Sequence, residues 1–130
     1  IKISAQVESE LVELGDLERS DYLNGLGVKE GGLESLIGAT YKLLGLRTYF
    51  TTGEKETRAW TIKAGSTAPE AAGVIHTDFE KGFIRAQTIG FKKLLAAGSI
   101  NDAKNNGWLR SEGKEYVVNE GDVMEFLFNV

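Results

Sequence analysis

The chain has 130 residues, a formal net charge of −4, 42% hydrophobic and 26% charged residues. These values bound it to one domain, or one small domain with an appendage, of ordinary globular composition. It contains no Cys, which excludes disulfides, thiolate zinc sites and cysteine nucleophiles. No apolar run approaches the roughly 20 residues of a membrane-spanning helix, so no membrane partner is expected. The chain starts with Ile, and the opening IKISAQVESE lacks the pattern of a signal peptide, so a fragment or processed product is expected. Charge is unevenly placed: residues 1–45 hold four Lys/Arg against eight Asp/Glu, and residues 46–130 hold eleven of each. A chain-wide basic footprint is absent, DNA is not an expected partner, and any nucleic-acid surface has to be a local patch.

Taken in order, Ile1–Ile3 reads as the end of a strand, with Ser4 and Ala5 in the loop after it. Val7, Leu11 and Leu14 recur at helical spacing, with Gly15 ending that helix. Asp16 is the expected cap of a second short helix carrying Leu17, Tyr22, Leu23 and Leu26. A third is predicted from Leu33 to Leu44, with an apolar stripe of Leu33, Leu36, Ile37, Tyr41 and Leu44, closed by Gly45. A strand plus helices in 45 residues bury too little surface to stand alone. This part is expected to be the tail of a larger domain.

From Leu46 the pattern changes. LRTYFTT is rich in β-branched and aromatic residues, and Gly53-Glu54-Lys55 turns it into a hairpin with Glu56–Ile62. Alternation there puts Thr57, Ala59 and Thr61 on one face and Arg58, Trp60 and Ile62 on the other. Lys63-Ala64-Gly65 forms a turn. Thr67 and Glu70 have capping-box spacing ahead of a short apolar helix with Pro69 in its first turn, and Thr77 and Glu80 repeat that spacing. FIRAQTI resumes as a strand. Further helices follow at Phe91–Gly98 and after Ser99, the latter capped by Ser99 and Asp102. WLRS, KEYVV and DVMEFLFNV are the expected closing strands, with Met124, Phe126, Phe128 and Val130 on one face. The order strand–strand–helix–strand–helix–strand–strand is α+β, and a mixed sheet wrapped over one helix is the β-grasp, or ubiquitin-like, fold. Trp60, Ile62, Val74, Ile75, Phe126 and Phe128 are the expected core.

The sequence lacks most of the chemistry sought in it. There is no G-x-x-x-x-G-K-[ST], and Gly113-Lys114 is preceded by Trp108 where the first Gly belongs and followed by Glu115, so nothing cradles a triphosphate. Asn119-Glu120-Gly121-Asp122 resembles a base-reading N-x-x-D, but its Asn and Gly suit a hairpin turn. His76, the single histidine, has no second metal-ligand partner and is expected to be structural. Glu112, Glu115, Glu120 and Glu125 are expected on solvated turns and strands. Trp60 and Trp108 read as core or edge aromatics. No catalytic or metal-ligating residue is assigned. Arg58 and Arg85 lie in the middle of successive strands, with Lys63 and Lys81 at the adjoining turns. These four are candidates for a basic RNA-binding patch, Arg being suited to phosphate and to base stacking. The competing reading pairs the arginines with carboxylates on a solvated face.

RAWTIKAGSTAPEAAGVIHTDFEKGFIRAQTI and LRSEGKEYVVNEGDVMEFLFNV, with ISAQVESELVEL and LLGLRTYFTTGEKE upstream, resemble the carboxyl-terminal part of the Obg-like ATPases of the YchF type. The resemblance covers essentially the whole chain. It implies the end of a P-loop GTPase-like domain over residues 1–45 and a β-grasp TGS domain over residues 46–130. It further implies a cytoplasmic, translation-factor-like ATPase that prefers ATP to GTP and associates with ribosomes. The family's P-loop, Mg2+ ligands and adenine-reading motif would lie upstream, so ATP and Mg2+ belong to the parent and no cofactor to this chain. Ser4 and Ala5 match the last nucleotide-base loop by position, although on their own they are only a loop. FKKLLAAG, with Lys92 and Lys93, is more basic than the family's pattern, and SINDAKNNG replaces a glycine-rich segment. Two functions remain: a non-catalytic RNA- or ribosome-binding module, or a ubiquitin-like regulatory domain that senses the nucleotide state of its own G domain.

Overall fold

The computed structural model describes residues 1–129. They divide into two compact units, Ile1–Leu44 and the segment from Gly45 onward. The first unit is three helices, α1 (Ala5–Val12), α2 (Asp16–Gly25) and α3 (Gly32–Leu43). Residues 1–4 form no strand, contrary to expectation; Ile1 and Ile3 are exposed within the unit and have no neighbouring strand to pair with. Ser4 and Ala5 are likewise not a free loop, because Ser4 caps α1 and Ala5 is its first residue. Gly15, one residue earlier than predicted, is the cap of α2, and its N–H donates to Glu18 at 3.0 Å. Polar contacts tie the helices together: Gly32 N–H donates to Glu8 at 2.6 Å, and Arg19 Nε to the Leu11 carbonyl at 2.8 Å. Only Leu11 and Leu23 are buried apolar residues here. The α3 stripe of Leu33, Leu36 and Ile37 stays exposed, as the short length of this unit dictates.

The second unit is a five-stranded sheet in the order β2-β1-β5-β3-β4. Its strands are β1 (Leu46–Thr52), β2 (Thr57–Lys63), β3 (Phe83–Gly90), β4 (Arg110–Glu112) and β5 (Asp122–Phe128). β1 and β2 form the predicted hairpin, with Tyr49 opposite Trp60. β1 and β5 are parallel and register at one pair, Phe50 opposite Val123, whereas β3 and β5 run antiparallel along their lengths with a bulge between Phe83 and Arg85. Strand alternation separates two cores. Tyr49, Ile62, Phe83, Ala86 and Met124 face the helix α4 (Ala68–Ile75), joined by Ala68, Ala71, Ala72 and Val118. Ile89 and Val123 point the other way and pack with Ala103, Phe50 and Leu94. Those last residues bring in α6 (Phe91–Ala97) and α7 (Ile100–Asn105).

Several local expectations change. Thr67 begins α4 but makes no side-chain cap. Backbone from residues 116–118 takes a different free donor at this helix start: Ala68 N–H donates to Tyr116 O at 2.8 Å, and Val118 N–H donates to Ser66 O at 3.0 Å. KEYVV is therefore not a closing strand; it lies along the start of α4 with one isolated bridge, Thr67 to Val117. α5 (Thr77–Lys81) is capped by His76, whose Nδ1 accepts from Asp78 N–H at 3.1 Å, so the lone histidine has a structural task. Val74 is 47% exposed and Phe128 38% exposed, so neither is a core residue. Phe128 instead stacks on Phe79, with ring centroids 4.0 Å apart. Met124, Phe126 and Phe128 do share the α4 side of β5; Val130 lies outside the described residues.

Candidate nucleic-acid interface

β2 forms one edge of the sheet. Glu56 precedes it, and Glu56, Arg58 and Trp60 alternate onto the face that carries Ile62. The Arg58 guanidinium sits over the Trp60 ring, 4.3 Å from its centroid, a cation–π geometry. Trp60 Nε1 donates to Thr51 Oγ1 at 2.9 Å, which fixes the ring on β1. Beside it lies a groove of about 250 Å³ lined by Trp60, Ile75, Phe79 and Phe126 and by the carboxylates Glu56 and Glu125.

The other predicted basic residues lie elsewhere. Arg85 follows the β3 bulge, opposite Leu127, on the face that carries Gln87 and Ile89. Arg58 and Arg85 thus point to opposite faces, and β1 and β5 run between their strands, a separation of roughly 14 Å at three strand spacings. They do not form one patch: strands successive in sequence are not neighbours in this sheet. Lys63 ends β2 with its side chain on the face opposite Arg58, and Lys81 ends α5. Among the described residues none of Arg58, Lys63, Lys81 and Arg85 makes an ion pair; the Lys/Arg pairs formed are Arg110–Glu112 and Arg110–Asp122. The solvated-salt-bridge reading of the two arginines is therefore not what the structure adopts.

Ser4 Oγ accepts from Val7 N–H at 3.4 Å. The Asn119–Asp122 turn is held by its own groups: Asp122 Oδ2 accepts from Asn119 N–H at 2.9 Å and from the Tyr116 hydroxyl at 2.6 Å. Burial first, and then that bond to Asp122, push the Tyr116 hydroxyl above its ordinary pKa. Glu120 is not simply solvated, because it accepts from Thr48 N–H at 2.9 Å. No group of three His, Cys, Asp or Glu that could hold a metal exists among the described residues.

The parallel β1–β5 pair, the mixed sheet around it and α4 across one face define an α+β domain of the β-grasp, TGS type. The family model YchF-GTPase_C, described as a protein of unknown function (DUF933), matches residues 46–129, and the chain belongs to that family. Along its whole length it is 56% identical to proteins named "Ribosome-binding ATPase YchF" from Bacillus subtilis (strain 168) and Escherichia coli O157:H7, covering 36% of each. It thus spans about a third of the length of these relatives. The structure of the Schizosaccharomyces pombe YchF GTPase superposes with a TM-score of 0.78 at 37% identity, covering 98% of this chain and 33% of that one. A GTP-binding protein from Pyrococcus horikoshii OT3 shares the fold, with a TM-score of 0.53 at 21% identity over 78% of this chain and 26% of its own.

Proposed function

We propose that this chain is the carboxyl-terminal part of a ribosome-associated, translation-factor-like ATPase, in which the β-grasp unit is a non-catalytic module that binds ribosomal RNA. In this reading residues 1–45 close the GTPase-like domain of the parent, and ATP, preferred to GTP, binds with Mg2+ in the segment upstream. The parent works in the cytoplasm, and its own G domain is the module's second partner. The observation that carries the reading is the 56% identity, over the entire chain, to proteins named for ribosome binding. Four basic side chains without ion pairs, Arg58, Lys63, Lys81 and Arg85, are available to phosphates. Because they are dispersed, the contact is spread over more than one face rather than confined to a single basic patch.

Cosedimentation of the 130-residue chain with purified ribosomes, over a series of salt concentrations, tests this. Binding should weaken steeply with salt, and each phosphate contact removed should flatten the log–log slope by roughly 0.7 on single-stranded RNA. Absence of cosedimentation at low salt overturns the reading and favours the regulatory, nucleotide-sensing module.

A further inference from the structure

We propose that the groove beside Trp60 receives an arginine side chain from a basic segment of a partner protein, with the guanidinium on the Glu56 and Glu125 carboxylates and the methylene stem along the aromatic wall. Such a contact is separate from the RNA-binding reading: it gives the module a protein partner on a surface of the opposite sign.

The groove opens where β1 ends. Phe50 registers with Val123, which sets Thr52, the last residue of β1, level with Glu125, while β5 runs on to Phe128. Glu125 lines both this groove and a smaller cavity bordered by Ile89, Ile100 and Leu109, so it stands at the opening between the two strands. Glu56 lines the groove from the start of β2. The aromatic wall is already engaged within the fold: Phe79 stacks on Phe128, Phe126 meets Tyr49 and Phe83 edge-on, and the Arg58 guanidinium covers Trp60. Trp60 is further held by its bond to Thr51. The wall therefore offers an apolar lining of fixed shape rather than a platform for a base.

Among the described residues the only charged side chains lining the groove are the two carboxylates, and neither makes an ion pair. Arg58, two residues from Glu56 on the same face of β2, lies over the Trp60 ring at 4.3 Å instead. The groove thus presents uncompensated negative charge beside apolar surface. Nucleic acid phosphates are repelled by it. An apolar peptide would strip water from both carboxylates and return nothing to them. Two carboxylates are too few to cage a metal ion, and no group of three possible ligands exists among the described residues. An arginine suits both features. Its stem covers apolar surface while its charged head stays at the rim. Its planar guanidinium carries five donors, enough to give charge-assisted hydrogen bonds to carboxylates on two sides.

The test titrates the full 130-residue chain with the capped peptide Gly-Leu-Arg-Leu-Gly and with the same peptide carrying citrulline, the neutral isostere, in place of arginine. Calorimetry on the unaltered chain gives the affinities, and Trp60 emission in the Trp108→Phe chain, where Trp60 is the sole tryptophan, reports the place of binding. The arginine peptide should change Trp60 emission and bind about tenfold or more tightly than the citrulline peptide, the worth of one charge-assisted hydrogen bond. Glu56→Gln and Glu125→Gln should each reduce that preference, and the two together should abolish it. Glu56→Lys combined with Glu125→Lys should bind Gly-Leu-Glu-Leu-Gly in place of the arginine peptide. Absence of binding at millimolar peptide, equal affinity for the arginine and citrulline peptides, or a preference that survives the double Gln variant overturns the assignment. If the RNA UUUUU, and not the arginine peptide, changes Trp60 emission, the occupant is RNA and the assignment falls. If emission depends on protein concentration without peptide, the occupant is a second copy of the chain and it falls likewise. Failure of the peptide titration leaves the RNA-binding reading standing, and failure of ribosome cosedimentation leaves the groove standing.

Discussion

The Tyr49 hydroxyl donates to the Ala71 carbonyl oxygen at 2.8 Å, and both residues are fully buried. This bond pins β1 to α4 at the centre of the larger core, and the Tyr49 ring meets Phe126 edge-on at 5.9 Å. Tyr49→Phe should keep the packing and cost about 0.5–1.5 kcal/mol for the lost bond, measured by urea denaturation. Burial also pushes the Tyr49 pKa above its ordinary value. A group whose folded pKa is raised adds stability that is complete below its unfolded pKa, about 10, and is lost as pH climbs toward the folded value. Wild-type stability should therefore decline above about pH 10, and Tyr49→Phe should flatten that decline. An alkaline limb identical in the two proteins would refute the assignment.

Gly82 is required by a close approach. Its carbonyl accepts from Asn129 N–H at 2.8 Å, and a Cβ at this position would lie 2.1 Å from the Asn129 backbone oxygen. Backbone cannot rotate aside as a side chain can, so Gly82→Ala should cost about 1–3 kcal/mol. Gly113→Ala, with nothing within 4 Å of its Cβ position, should change stability by less than about 0.5 kcal/mol. Thermal melts of the two variants decide the matter; equal melting temperatures would refute it.

Asp122 is 3% exposed and accepts from the Tyr116 hydroxyl and Asn119 N–H, with Arg110 Nη2 3.8 Å from its other oxygen. It closes the loop between β4 and β5. Asp122→Asn keeps the shape but removes the charge, and should cost about 1.5–3 kcal/mol. Combined with Tyr116→Phe the losses should be less than additive, since both act on one bond. Strict additivity in denaturant titrations would show that the two residues act separately.

Residues 45–130 should fold without residues 1–44. Among the described residues, every buried apolar residue except Leu11 and Leu23 belongs to the second unit. The isolated 45–130 segment is expected to melt in one cooperative transition, and the isolated 1–44 segment to show none. A 45–130 segment without a transition by calorimetry would mean that the boundary is misplaced.

Local chemistry made most elements legible in the sequence. The alternation in TRAWTIK, Pro69 at the start of α4, and Gly45 and Gly98 with positive φ after α3 and α6 all follow from single-residue preferences. What could not be seen was set by distant partners. Thr67 makes no side-chain cap, and KEYVV is no sheet strand because the backbone of Tyr116 and Val118 bonds instead to Ala68 and Ser66 beside the start of α4. Arg58 and Arg85 sit on strands that follow each other in sequence, but period-2 patterning fixes faces only relative to each strand. Strand order and the bulge before Arg85 decide that the two point apart. The groove was hidden for a similar reason: Trp60 and Phe79 are ordinary apolar positions until the strand order and the short β1–β5 ladder bring them to one groove.

The middle of the sheet is occupied by β5, the last strand in the chain, inserted between β1 and β3. During synthesis the β1–β2 hairpin can close early, but β3 has no neighbour on its inner side until residues 122–128 have been made. The larger core, which needs Met124, waits for the same event. Such non-local closure is slow relative to helix or hairpin formation. A polypeptide stalled before Asp122 would expose the inner edges of β1 and β3 together with the apolar side of α4, and would be a ready substrate for chaperones and proteases. Completion of this domain therefore depends on the pairing of residues 122–128.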